Sequence, residues 1–120
     1  KDLGFDGYVA QGGSNFSGGQ KQRLSIARAI ARQPEILIFD DSFSALDYKT
    51  DSLVRKNLSK KIKDATVIIV TQRVSTVLNA NQIIVLDDGK CVGIGTHKEL
   101  LNSCEIYREI ASSQLGEEEI

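Results

Sequence analysis

The chain has 120 residues, 41% hydrophobic and 26% charged, enough for one modest core and without the bias of a disordered or coiled-coil sequence. Its formal net charge of -1 provides no basic field for nucleic acid, and no apolar run reaches membrane-spanning length. Cys91 and Cys104 lie far apart, with neither metal-ligand spacing nor a secretory signal, as expected in a reducing compartment.

Lys1 to Asn15 is a polar, glycine-bearing lead-in. Ser17 and Gln20 then stand at capping-box spacing, and a helix is predicted through Leu24, Ala27, Ile30 and Ala31 until Pro34 takes Gln33 out of it. Gly18 and Gly19 do not fit that account, since each glycine inside a helix costs about 1 kcal/mol relative to alanine. Something must need the bare backbone. "EILIF" reads as a strand buried on both faces, as in a parallel sheet, and ends in Asp40 and Asp41. From Thr50 to Lys63, Val54, Leu58 and Ile62 share one face of a surface helix, with Arg55, Lys56, Lys60 and Lys63 elsewhere. "TVIIV" is a second buried run, ending in Thr71 and Gln72, so strand, helix and strand form a crossover unit with a parallel pair. "QIIVL" leads through Asp88-Gly89, a hairpin signal, into "CVGIG", and this antiparallel pair is expected to end the sheet. Thr96 and Glu99 form a second capping box before a helical pattern of Leu100, Leu101, Ile106, Tyr107, Ile110 and Ala111; "GEEEI" is an acidic tail.

In an open parallel sheet, ligands bind beyond the carboxyl ends of the strands, where these acids and Thr71-Gln72 lie. Asp40 is placed to hold Mg²⁺, directly or through water, because that ion takes hard oxygen ligands and keeps much of its hydration. Asp41 would then face the reacting water. The plainer alternative is that the two acids only cap the next turn.

Taken together, the motifs resemble those of the ATP-binding domain of an ABC transporter, over its carboxy-terminal half. "FSGGQKQR" is similar to the family signature, "ILIFDD" to its Walker B strand and "SALD" to its D-loop; "TQR" stands where the switch histidine sits. The likeness runs on through "VLDDGKCVGIGTHKELL" and is closest to bacterial multidrug and lipid exporters. It implies an α/β fold, part of a P-loop NTPase (RecA-like) domain, with parallel strands, a crossover helix, a β-hairpin and carboxy-terminal helices. Residues 1–33 would be the end of the helical subdomain with the signature helix. Residues 34–95 would be the Walker B, D-loop and switch region, and 96–120 the last helices and tail.

The resemblance also accounts for the glycines. In this family two ATP-binding domains dimerise head to tail, and the signature helix of one presents its amino end to the γ-phosphate of ATP held by the other. A helix amino terminus suits that role through its free amides and dipole. By this likeness Ser17 donates its hydroxyl, Gly18 and Gly19 let phosphate approach the backbone, and Gln20 shapes the turn and touches nucleotide. Ser44, Ala45, Leu46 and Asp47 would form the D-loop along the dimer interface; the plainer alternative is that they start the next helix at Asp47 or Thr50. In "YVAQGGSNFSGGQ" the residues before the signature resemble the exporters' X-loop, which contacts the coupling helices of the membrane domain, with Gln11 near where glutamate is common. The basic stripe of Lys21, Arg23, Arg28 and Arg32 reads as a solvated face.

Two positions depart from the family's working pattern. Asp41 replaces the usual glutamate, and its carboxylate falls one bond, about 1.5 Å, short. Losing good general-base positioning typically forfeits about 10²–10⁴ in rate. Gln72 replaces the switch histidine and can donate a hydrogen bond but carry no proton or charge. The single histidine, His97, is assigned no catalytic role. The pattern is that of a degenerate site in a heterodimeric exporter, with Asp40, Asp41 and Gln72 serving this subunit's ATP and Mg²⁺, and the intact signature serving the partner's ATP.

No G-x-x-x-x-G-K-[ST] motif occurs, the composition records no methionine and the chain opens at Lys1. A longer parent is therefore expected, with Walker A, the adenine-stacking aromatic and a membrane-spanning region on the amino side; the 120 residues alone should not hydrolyse ATP. The expected partners are a second ABC ATP-binding domain and a transmembrane domain at the cytoplasmic face of the membrane, with no nucleic acid. Two other functions share the motifs: a soluble ABC ATPase, disfavoured by the absence of insertions, and a non-catalytic nucleotide-sensing module, which Asp41 and Gln72 permit.

Overall fold

Each expected helix start and strand run becomes an element in the computed structural model, which describes residues 7–42, 46–62 and 64–116. The chain forms two compact units, Lys1–Val70 and Thr71–Ile120.

In the first unit, Ser17 caps helix α1 (Gly18–Ala31). The Gln20 amide donates to Ser17 Oγ at 3.2 Å and the Ser17 amide donates to Gln20 Oε1 at 3.0 Å, completing the capping box. Beyond the C-cap, Arg32, Gln33 turns to φ 50° ahead of Pro34, while its amide still donates to Ile30 O at 2.9 Å. The buried face of α1 differs from the expected stripe. Ile26 is buried with Ala29 and Ile30 packed beside it, whereas Leu24, Ala27 and Ala31 are exposed. The arc centred on the i, i+4 pair Ile26 and Ile30 meets the core, and a helix can turn only one arc toward a single sheet face.

Strand β1 (Ile36–Asp40) pairs in parallel with β2 (Thr66–Val70), from Ile36 opposite Thr66 to Asp40 opposite Val70. Helix α2 (Tyr48–Lys61) makes the crossover. It starts at the earlier of the two expected positions because Asp47 is its N-cap, accepting from the Thr50 amide at 2.8 Å, and it ends at Lys61. Val54, Leu58 and Ile62 pack against the core of Ile26, Leu37, Phe39 and Leu46, as their spacing predicts. The expectation of strands buried on both faces is not met. Leu37 and Phe39 are buried, but Ile36, Ile38, Ile68 and Val70, which the register puts on the opposite face, are exposed. Helices α1 and α2 supply only one covering layer.

The second unit opens with a short helix, α3 (Val74–Val77), that no sequence signal marked. Strands β3 (Ile83–Asp87) and β4 (Lys90–Gly95) pair antiparallel through a turn in which Asp88 and Gly89 take φ 48° and 73°, the left-handed pair a type I′ hairpin requires. The register shifts between Val85 and Leu86. Among the described residues this hairpin is a sheet of its own and does not extend the β1–β2 ladder as expected.

The last helical pattern is two helices, α4 (His97–Ser103) and α5 (Glu105–Gln114), broken at Cys104, whose φ of -123° and ψ of 105° are extended. The break lets Leu100, Cys104, Tyr107 and Ala111 all bury against Val74, Ile83 and Val85. Gly93 admits this packing: a Cβ there would lie 3.0 Å from both Cys104 Sγ and Leu100 Cδ2. The second capping box is half formed. The Glu99 amide donates to Thr96 Oγ1, but the Glu99 carboxylate takes the Thr96 hydroxyl at 3.1 Å in place of its backbone amide. His97 Nδ1 and Tyr107 Oη form a 2.7 Å hydrogen bond, which gives the histidine a place in packing. Burial pushes the Tyr107 phenol above its ordinary pKa. Among the described residues, no helix is long and apolar enough to cross a membrane.

Candidate functional site

The first unit brings two helix starts to one cleft. About 410 Å³ in volume, it is lined by Ser17, Gly18, Gly19 and Arg23 of α1 and by Leu46, Asp47 and Thr50 at the start of α2. Three of the four expected signature residues, Ser17, Gly18 and Gly19, thus meet the expected D-loop residues Leu46 and Asp47 across the same space, while Gln20 closes the capping box beside it. Ser44 and Ala45 lie outside the described residues.

The two glycines have no conformational reason to be glycine. Gly18 and Gly19 are absent from the positive-φ positions and form the first turn of α1. A residue without Cβ at negative φ costs helix stability, so close approach by another group is the remaining physical reason for it. The first-turn amides carry the positive end of the helix dipole, and Arg23, one turn on, adds a formal positive charge to the cleft wall. Asp47 opposes them in sign. Hydrogen bonds from the Thr50 amide and side chain hold its carboxyl below the usual aspartate pKa, so it stays ionised while capping α2.

Asp40 closes β1 and is exposed. Its neighbour Asp41 adopts φ 52°, in the left-handed region that aspartate enters more readily than most residues. Two hydrogen bonds fix that turn: the Asp41 amide donates to Val70 O at 2.8 Å, and Gln22 Nε2 of α1 donates to Asp41 O at 3.2 Å. Helix α1 therefore holds the backbone of the second strand-end acid. The left-handed turn had no signal in the apolar run or in the acids themselves. Among the described residues, no group of three His, Cys, Asp or Glu side chains is placed to hold a metal. An exposed carboxylate at a strand end suits Mg²⁺ that completes its shell with water and phosphate oxygens, the ion's usual mode.

Asp51 was also missed by the sequence reading. It is fully buried in α2, and Arg55 Nε donates to its Oδ1 at 2.7 Å. This i, i+4 pair stiffens the helix that carries Leu46 and Asp47 at its start. In the second unit, Gln72 is exposed just past β2. The Arg73 amide donates to Thr71 Oγ1 at 3.0 Å, tightening the segment around it.

A family profile described as ABC transporter matches residues 3–44, which hold the cleft's α1 wall and both strand-end acids. Relatives match far beyond that span. An ABC transporter ATP-binding protein of Mycobacterium tuberculosis is 58% identical over 106 residues, covering 88% of this chain and 18% of its own length. The chain belongs to the ABC transporter ATP-binding family. The alpha-hemolysin translocation ATP-binding protein HlyB of Escherichia coli is 50% identical over 99 residues, 82% of this chain and 14% of HlyB. A solved structure of a bacterial Atm1-family ABC exporter with ATP bound superposes with a TM-score of 0.89 at 36% identity, over 96% of this chain and 20% of that one. The α/β architecture is thus that of an exporter's nucleotide-binding domain, a P-loop NTPase fold. The chain spans a fifth or less of the length of the curated relatives it matches, from 13% to 20%.

Proposed function

We propose that this ABC sequence serves, within a longer parent, ATP binding and hydrolysis that power membrane export, as one subunit of a transporter at the cytoplasmic face of the membrane. The observation that carries the reading is the cleft in which glycine-bearing first-turn amides of α1 meet the start of α2. Such amides suit an anion that approaches the backbone closely. In the head-to-tail dimer expected of the family, that anion is the γ-phosphate of ATP held by the partner. Ser17 donates its hydroxyl, Gly18 and Gly19 admit the phosphate, Gln20 shapes the turn, and Leu46 and Asp47 face the interface.

The subunit's own ATP would be served by the other residues. Asp40 would hold Mg²⁺, which when bound would neutralise developing charge on the phosphates. Asp41 faces the attacking water, and Gln72 donates a hydrogen bond to the γ-phosphate. Asp41 reaches less far than glutamate, and Gln72 cannot take a proton. The own site therefore turns over slowly while the signature helix completes a competent site on a different subunit. The Walker A lysine and the membrane domain would come from the rest of the parent.

Support comes from the exporter likeness at 36% identity over nearly the whole chain and from the exposure of Asp40, Asp41 and Gln72. Restoring Asp41→Glu together with Gln72→His in the parent should raise turnover at this site by about 10²-fold, the lower end of what a well-placed base contributes. No gain would sink the degenerate-site reading.

A further inference from the structure

The exposed segment around Gln72 is held from a distance. Gln114, the last residue of α5, lies 42 positions downstream of it. Its Nε2 donates to Gln72 O at 2.8 Å, and its Oε1 accepts from the Val74 amide at 2.9 Å. One side-chain amide thus satisfies a donor and an acceptor two residues apart, as a neighbouring strand would.

This arrangement answers a local deficit. Helix α3 begins at Val74 with Arg73 as N-cap, and Arg73 makes no side-chain capping bond. The first amides of a helix have no partner within it, and arginine carries no acceptor to supply one. Val74 is buried, so an unpaired amide there would be costly. Gln114 Oε1 is the surrogate cap. Its other end then fixes the Gln72 carbonyl and with it the direction in which the Gln72 side chain leaves the chain. The clamp is itself well anchored: Tyr107 and Ala111 of α5 are buried in the same core as Val74, and Leu115 packs against it.

We infer that Gln114 is a positioning residue, a side-chain clamp that holds the backbone of the switch-position residue Gln72 and couples its orientation to the seating of the carboxy-terminal helix. This deepens the proposed function and rests on the reading of Gln72 given there. Displacement of α5 from its core, by a partner surface or by substitution, would release Gln72 without touching the nucleotide.

The test uses the parent assembled with its partner subunit and reads two quantities, amide hydrogen exchange at Val74 and the slow ATP turnover at this subunit's own site, isolated by Ser17→Arg, which fills the space the partner's phosphate would enter and so silences the other site. Gln114→Ala should accelerate exchange at Val74 about fivefold, the effect of losing one net hydrogen bond, with β3 and β4 unchanged. Gln114→Glu keeps the acceptor for Val74 but not the donor for Gln72, so exchange should stay slow while turnover falls as in Gln114→Ala. The turnover loss should be about fivefold and should vanish in a Gln72→Ala background, because residues acting through one another do not add. Gln72→Ala keeps the backbone carbonyl and should leave Val74 exchange slow. Unchanged Val74 exchange in Gln114→Ala would overturn the clamp, and an equal turnover loss with and without Gln72→Ala would reduce Gln114 to a structural residue. If Gln72→Ala alone leaves turnover unchanged, the reading of Gln72 fails, and the exchange result still decides whether the clamp exists.

Discussion

Both units put helices on one face of a two-stranded sheet and leave the other face bare, but they differ in what they expose. In Thr71–Ile120 the covering helices break at Cys104 and close on a core in which Leu100 and Ala111 have no exposed surface. In Lys1–Val70 the core is the smaller set of Ile26, Leu37, Phe39 and Leu46, and the residues expected to do chemistry stand outside it. Asp40 and Asp41 are exposed, as are Ser17, Gly18 and Asp47. The second unit contributes one such residue, Gln72, and ties its backbone to the packed helix through Gln114. The contrast teaches that a site whose ligand arrives from outside must leave its donors unburied, so its order comes from caps and turns. The packed unit supplies stiffness.

The comparison can be broken first at the packed end. Leu100→Ala removes a fully buried side chain and should cost about 2–5 kcal/mol, seen as accelerated amide exchange through β4 and α5 of the parent. A small effect would mean that the second unit is not the stiff one. In the exposed unit, stability and activity should move in opposite directions. Gly18→Ala with Gly19→Ala suits negative-φ helical positions and should stabilise α1 by about 1 kcal/mol per site, yet lower partner-dependent ATP turnover by about 10²-fold. Turnover that follows stability upward would contradict the role given to the bare backbone.

Smaller effects sharpen the same contrast. Thr76 Oγ1 is buried with no hydrogen-bond partner among the described residues, so Thr76→Val should stabilise the second unit by about 1 kcal/mol, measured by thermal unfolding of the parent. Asp47 should give the smallest signal, and a pH-dependent one. Its folded pKa lies below the ordinary 3.8, so its capping contribution is complete above that value and is lost as pH falls through the lowered pKa. Exchange at the Thr50 amide should therefore rise in acid beyond its intrinsic trend, and Asp47→Asn, which still accepts a hydrogen bond, should remove that pH dependence.

Local spacing was legible in the sequence wherever one element contains its own cause. The Ser17–Gln20 capping box, the stop before Pro34, the Asp88-Gly89 turn and the parallel pair flanking a crossover helix all follow from residues within a few positions of each other. Burial was less legible. The continuous runs "ILIF" and "TVIIV" imply two covered faces, but a strand's composition reports what it can pack against and not how many layers the chain in hand supplies. The helical pattern after Thr96 concealed the extended Cys104, because the apolar residues on either side keep a helical period while the core requires two short helices.

The candidate site divides in the same way. The signature and strand-end residues could be named from motif spacing, and Asp47 is one of the two starts the sequence allows for α2. The left-handed turn at Asp41 depends on a bond donated to Val70 O and one accepted from Gln22, and the clamp on Gln72 comes from 42 residues away. Neither has a period or a motif. A side-chain amide meeting a backbone across that separation is fixed only when the helices around it are packed.

In the proposed function this subunit lends an intact signature helix to a site on another subunit while its own site is slow. The most direct test is ATP hydrolysis by the complete parent subunit, purified alone and then mixed with its candidate partner subunit. A slow own site gives negligible turnover alone and robust turnover on mixing; robust turnover by the parent alone would show that Asp41 and Gln72 form a competent site and would rule out the proposed division of roles.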